Sequence, residues 1–148
     1  MRIDGEDKIT KIELLEELNF IKMQPGQKFR DALKNNKPLI IPGAINAYSA
    51  KLAEKSGHSA IYLSGSGVAA ASYGLPDLGV TTMHDVLIDV KRITSATSLP
   101  LLVDIDTGWG ESDQIAQTIS EMGKAGCAAV HIEDQVLKKK AAIDLINN

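Results

Sequence analysis

Asp104 and Asp106 stand two residues apart at the end of an apolar run, Leu101-Leu102-Val103-Asp104-Ile105-Asp106, and Thr107-Gly108-Trp109-Gly110 follows them. On a buried strand, alternation would turn both carboxylates to one face. Two anions that close repel each other unless a cation stands between them. Hard oxygen ligands with room for water suit Mg²⁺ or Mn²⁺. An isolated Asp-x-Asp more often caps the helix that follows, so the pair needs support from the rest of the chain.

Further candidates sit at comparable places. Ser64-Gly65-Ser66-Gly67 offers backbone N–H groups with little side-chain obstruction, a nest that could hold a carboxylate or phosphate, although glycine-rich turns are common. It is not a dinucleotide fingerprint, because G-x-G-x-x-G is incomplete. Tyr62 shares a face with Ser64 by period two. Glu133 has His131 on its own face, and its carboxylate could join the two aspartates directly or through water; His131 reads as readily as a satisfied core histidine. Asp77, in Gly74-Leu75-Pro76-Asp77-Leu78-Gly79, reads by itself as a solvated turn residue, and His58 and His84 read as surface groups. Cys127 lies among Ala125, Gly126, Ala128 and Ala129, which suits buried filler better than a reactive thiol.

Alternating elements must position these groups. Residues 8–21 carry apolar side chains near helical spacing and predict an N-terminal helical extension over 1–26, lying on the main domain or on a partner subunit. Lys28 to Asn35 predicts a short helix with Phe29, Ala32 and Leu33 inward. From Pro38 onward the expected strands are 39–43, 60–64, 99–104 and 128–133. The expected helices are 47–55, one capped by Thr81 or Thr82 with Val86, Leu87, Val90 and Ile93 inward, and one capped by Ser112 with Ile115, Ile119 and Met122 as its stripe. The glycine-rich stretch after Ser64 reads as a long loop. Strands apolar on both faces, alternating with helices, predict an α/β fold with a parallel sheet. A doubly wound sheet and a (β/α)₈ barrel both fit that pattern. In either, active groups gather at strand C-terminal ends, and a barrel brings successive ends around one mouth.

Composition narrows the function classes. The chain has 148 residues, a net charge of −3, and 24% charged residues with no basic face, which argues against nucleic acid as a partner. No apolar run approaches the ~18 residues of a membrane span, and the charged N-terminus lacks a signal-peptide core. One cysteine cannot form an internal disulfide, so a cytoplasmic location is expected.

The segments Tyr62-Leu63-Ser64-Gly65-Ser66-Gly67-Val68-Ala69, Gly74 to Gly79, Leu101 to Gly108 and His131-Ile132-Glu133-Asp134-Gln135 closely resemble, in order, the isocitrate lyase/phosphoenolpyruvate mutase superfamily. Within it they are most similar to the 2-methylisocitrate lyase group. The resemblance covers residues 27–136. It implies the N-terminal half of a (β/α)₈ TIM barrel, preceded by N-terminal helices, from a family that is usually homo-tetrameric. It also implies Mg²⁺ held by Asp104 and Asp106 with support from Glu133. A small carboxylate substrate would sit on Ser64, Gly65 and Ser66, with Tyr62 and Asp77 near the reacting hydroxyl. The implied reaction is cleavage of 2-methylisocitrate to pyruvate and succinate, the propionate-catabolic step of the methylcitrate cycle. The nearest alternatives are a phosphoenolpyruvate mutase or oxaloacetate-processing relative, and a non-catalytic remnant. The family usually has glycine where this chain has Ser66.

The resemblance fails beyond Gln135-Val136. The family's lyases continue with a lysine and then Cys-Gly-His-Arg-Pro-Asn-Lys, whose cysteine is the usual candidate acid. Here Lys139 falls at the lysine and Ala141 at the cysteine. Deleting the first T from TGC GGC CAT AGA CCT AAT AAA, one spelling of that motif, leaves Ala-Ala-Ile-Asp-Leu-Ile, the text of residues 141–146. The expectation is a truncated, frameshifted lyase with an aberrant tail over 137–148. It would be inactive by itself and, with open sheet edges, self-associating or unstable.

Overall fold

The computed structural model of the chain describes residues 24–134. The expected extension up to residue 23, Lys139, Ala141 and the tail lie outside the described residues. Helix α1 (Pro25–Asn35) leads into an extended segment, then α2 (Ala47–Lys55), β1 (Ile61–Leu63), α3 (Gly65–Tyr73), α4 (Met83–Thr94), β2 (Leu101–Asp104), α5 (Ser112–Lys124) and β3 (Ala129–His131). The strands form a parallel sheet in the order β1-β2-β3. Tyr62 is in register with Leu102, Leu102 with Ala129, and Asp104 with His131.

Strand order follows chain order, and Gly43 bridges in parallel to Tyr62 on the outer side of β1. A sheet that grows in one direction through right-handed crossovers keeps its helices on one face and curls, as in a barrel. A doubly wound sheet would reverse its order at a switch point. Burial follows the same division. Ile61, Leu63, Leu101, Val103 and Ile105 are buried against Val86, Val90 and Ile93 of α4, Val68 of α3, Met122 of α5 and the small Ala50 and Ala53 of α2. Each fully buried branched side chain of this kind contributes roughly 1.5–3 kcal/mol. The other face carries Tyr62, Leu102 and His131, which are half-buried or exposed.

Several elements differ from expectation. The strand expected at 39–43 is reduced to the Gly43 bridge, with Tyr62 N–H donating to the Pro42 carbonyl at 3.0 Å and Ala44 N–H to the Tyr62 carbonyl at 2.8 Å. Pro38 and Pro42 lack the donor a ladder needs, and Ile40 is exposed. Helix α1 begins at Pro25 rather than Lys28, because proline suits the first helical position. Its Leu33 points outward, leaving Ala32 as its buried contact. The stripe of α5 runs through Thr118 and Met122, with Ile119 exposed, and its cap position is Glu111 rather than Ser112. Thr118 is admitted to the interior because its hydroxyl donates to the Gly108 carbonyl at 3.1 Å. The largest difference is α3, which occupies the expected long loop. Gly65 and Gly67 sit in its first turn, Val68 and Ala69 supply a buried face, and Gly74 closes it in the left-handed conformation.

Candidate active site

The Asp104 carboxylate is buried at the end of β2 and accepts a backbone N–H on each oxygen. Gly65 N–H donates to Oδ2 at 3.1 Å, and Asp106 N–H donates to Oδ1 at 3.1 Å. The first bond ties the N-terminus of α3 to the end of β2, where the helix dipole favours an anion. The second bond needs a turn. The strand ends at Asp104, and Asp106 adopts φ +47°, a left-handed conformation that aspartate tolerates better than most residues. The two carboxylates therefore converge through a turn, not through strand alternation alone. A Cβ on Gly65 would lie 3.4 Å from Oδ2 of Asp104 and 3.4 Å from Oδ2 of Asp106. Glycine leaves that space open, and two hard oxygen donors face it.

The neighbouring chain ends meet at the same place. A Cβ on Gly67 would come within 2.9 Å of Ile45 Cγ2, so this glycine lets α3 sit against the segment that follows Gly43. Glu133 N–H donates to the Asp106 carbonyl at 2.8 Å, continuing the β2–β3 pairing beyond the strands. Glu133 is thereby fastened by its backbone beside Asp106. Among the described residues, however, no group of three or more acidic, histidine or cysteine side chains is close enough to enclose a metal ion. Asp104 and Asp106 are the pair whose carboxylates the structure brings together. As hard oxygen donors facing one open space, they suit by their chemistry a divalent cation that takes its other ligands from water and substrate.

Ser64 caps α3, accepting Gly67 N–H at 3.5 Å, and its hydroxyl lies 2.8 Å from the hydroxyl of Ser66. The expected nest is thus the first turn of a helix. Its Gly65 N–H is directed to Asp104, and the two serine hydroxyls stand beside it. The side chain at position 66 turns back onto Ser64. Tyr62 projects from the sheet face opposite the helices, with its hydroxyl 3.4 Å from Nδ1 of His131. His131 is exposed rather than a core residue. Asp77 is exposed in the connection between α3 and α4. Cys127 is half-buried: desolvation pushes its thiol up to about 11, and the S–H donates to the Ala129 carbonyl. The Gly65–Asp104 bond and the Tyr62–His131 contact were not legible beforehand. The first depends on α3 being a helix, and the second spans a strand.

The phosphoenolpyruvate phosphomutase family profile matches residues 29–147. The chain is 66% identical over 115 residues to 2-methylisocitrate lyase of Shewanella oneidensis, covering 78% of this chain and 39% of that protein. It is 62% identical over 122 residues to the Vibrio cholerae 2-methylisocitrate lyase, covering 82% and 40%. Among solved structures, a 2,3-dimethylmalate lyase, described as a member of the PEP mutase/isocitrate lyase superfamily, superposes with a TM-score of 0.70 at 36% identity, over 79% of this chain and 42% of that one. A phosphonopyruvate hydrolase in complex with oxalate and Mg²⁺ superposes with a TM-score of 0.68 at 35% identity, over 79% and 41%. The chain thus spans about 40% of the length of the relatives it matches. Its one-directional parallel sheet and one-sided helices are the first part of their (β/α)₈ barrel. By the match over most of its length, the chain belongs to the phosphoenolpyruvate phosphomutase family.

Proposed function

We propose that the chain is the metal- and substrate-facing part of a carbon–carbon lyase of the 2-methylisocitrate lyase type, which cleaves 2-methylisocitrate to pyruvate and succinate with Mg²⁺. The observation that carries this is the convergence of Asp104 and Asp106 at the first turn of α3, in a chain 66% identical to such a lyase. A divalent cation held by the two aspartates, with Glu133 in support, supplies a Lewis acid for the 2-hydroxy-acid end. Mg²⁺ is the first choice for this oxygen-only set and Mn²⁺ the second. The Gly65 N–H and the Asp106 N–H hold the Asp104 carboxylate in place beside the open space at Gly65. Ser64 and Ser66 present hydroxyls to a substrate carboxylate. In this reading Tyr62 and Asp77 lie near the reacting hydroxyl, and Lys139 assists from beyond the described residues. Homo-oligomeric assembly belongs to the same proposal.

Cleavage also requires an acid for the departing succinate carbanion. The resemblance puts Ala141 at the place of the cysteine that would serve, and alanine has no proton to give. The chain is therefore expected to bind metal and the oxo-acid end without turnover. Calorimetric titration of 2-methylisocitrate and of pyruvate, with and without Mg²⁺, tests this. Mg²⁺-dependent binding that disappears in Asp106→Asn is the expected result; binding indifferent to Mg²⁺, or none, overturns the lyase proposal. Release of pyruvate and succinate would establish the reaction and overturn only the statement about Ala141.

A further inference from the structure

Three of the four residues that follow Ile105 have positive φ: Asp106 at +47°, Gly108 at +87° and Trp109 at +62°. Glycine adopts that backbone freely and aspartate tolerates it, but a bulky aromatic residue there is an outlier. Such strain persists only where the surroundings over-determine it. Here they do. The Glu133 N–H donates to the Asp106 carbonyl at 2.8 Å, and the Thr118 hydroxyl donates to the Gly108 carbonyl at 3.1 Å. A Cβ on Gly108 would lie 2.7 Å from Ile115 Cγ1, so the turn also lies tightly on α5. Trp109 is half-buried against the core, and its indole N–H donates to the Thr81 carbonyl at 2.9 Å. Thr81 is buried two residues before α4 begins, at the end of the connection that carries Asp77. Trp109 thus fastens the aspartate turn to that connection.

We propose that Trp109 is a positioning residue. Its indole anchor holds the turn in the left-handed form that presents the Asp106 carboxylate, and it joins the turn to the Asp77 connection as one unit. Without the anchor, a residue with a Cβ at this position relaxes toward negative φ. Only Thr107 and Gly108 separate it from Asp106, so that relaxation displaces the Asp106 carboxylate relative to Asp104. The consequence for a cation rests on the proposed site at the two aspartates; the anchoring itself does not.

The chain has one tryptophan, so its indole N–H gives a single resonance in nitrogen-15 NMR of the metal-free protein. That proton should exchange with solvent far more slowly than in the urea-unfolded chain. Trp109→Ala and Trp109→Gly both delete the anchor but differ in backbone, since glycine accepts positive φ and alanine does not. The glycine variant should therefore have the higher urea midpoint. It should also bind Mg²⁺ more tightly than the alanine variant, which should be weaker than wild type by about tenfold or more. A side chain that merely filled space would give the reverse order, because glycine leaves the larger gap and the freer unfolded chain. Trp109→Phe, which keeps a ring and loses the donor, should also weaken Mg²⁺ binding and covers the case in which the smaller residues do not fold. Fast indole exchange in the folded protein, alanine at or above glycine in urea, or Mg²⁺ binding by Trp109→Phe equal to wild type overturns the proposal. If the wild type binds no Mg²⁺, the lyase proposal fails, while indole exchange and the urea order still decide this one.

Discussion

Asp104 has two tasks that a mutation would separate from those of Asp106. Its buried carboxylate satisfies two backbone N–H groups, whereas Asp106 contributes its N–H to Asp104 and its own carboxylate to the open side. Asp104→Ala leaves the Gly65 donor without this acceptor and should cost about 1–3 kcal/mol of folding stability. Asp106→Asn keeps the backbone N–H that Asp106 donates to Asp104, so its urea midpoint should fall less than that of Asp104→Ala, and parallel urea unfolding of the two variants checks the contrast. Cys127 offers an independent check on packing at this scale. Burial raises its thiol to about 11, so almost none of it is thiolate near pH 7.5. Alkylation by iodoacetamide should be slow in the folded protein and fast in denaturant; equal rates would contradict the packing. Residue types and spacing marked Asp104, Asp106, Ser64 and Glu133 as candidates, and the family resemblance gave them their expected roles. They could not reveal that Asp106 reaches its position through a left-handed turn, because φ at a single residue is set by what surrounds it.

Helix α3 is the element on which the site depends. A run containing Gly65, Gly67 and Gly74 reads as a loop because glycine is a poor helix former. Tertiary contacts override that propensity: Ser64 caps the first turn, Val68 and Ala69 are buried, and Ser72 donates to the buried Asp89 of α4, which also receives Arg92 at 3.1 Å. Gly67→Ala should push α3 away from Ile45 and destabilise by roughly 1–3 kcal/mol, measured by denaturant unfolding. Helix α4, by contrast, announces itself in the sequence through its apolar stripe and a threonine cap, and the structure chooses Thr82 and closes a capping box with Asp85. Asp85 is held below the usual carboxylate range by the Thr82 hydroxyl first and the Thr82 N–H second. That stabilisation is present in full above the ordinary carboxylate pKa of about 3.9 and is lost as pH falls through the lowered value. Thr82→Ala should therefore cost about 1 kcal/mol at neutral pH. The variant should also show a smaller further loss on acidification, read by urea unfolding at pH 7 and pH 3.

For the molecule as a whole, the parallel α/β class was legible because buried strands and amphipathic helices alternate with different periods. Whether that alternation makes a barrel or a doubly wound sheet was not, since periodicity carries no strand order. The order β1-β2-β3, with helices on one face, fits a barrel, and the superposition on the 2,3-dimethylmalate lyase decides between the two. The first expected strand failed for a local reason, Pro38 just before it and Pro42 within it, and its backbone still pairs with β1 at Gly43. No helix among the described residues is long and apolar enough to cross a membrane. In the proposed function, successive strand ends converge to hold a divalent cation on Asp104 and Asp106. Isothermal titration of Mg²⁺ into the chain and into Asp106→Asn tests it most directly. One site per chain is expected, weakened in the variant by at least the roughly 10–100-fold that changes to supporting residues cost at metal sites. Absence of Mg²⁺ binding, or equal binding by both proteins, would contradict it.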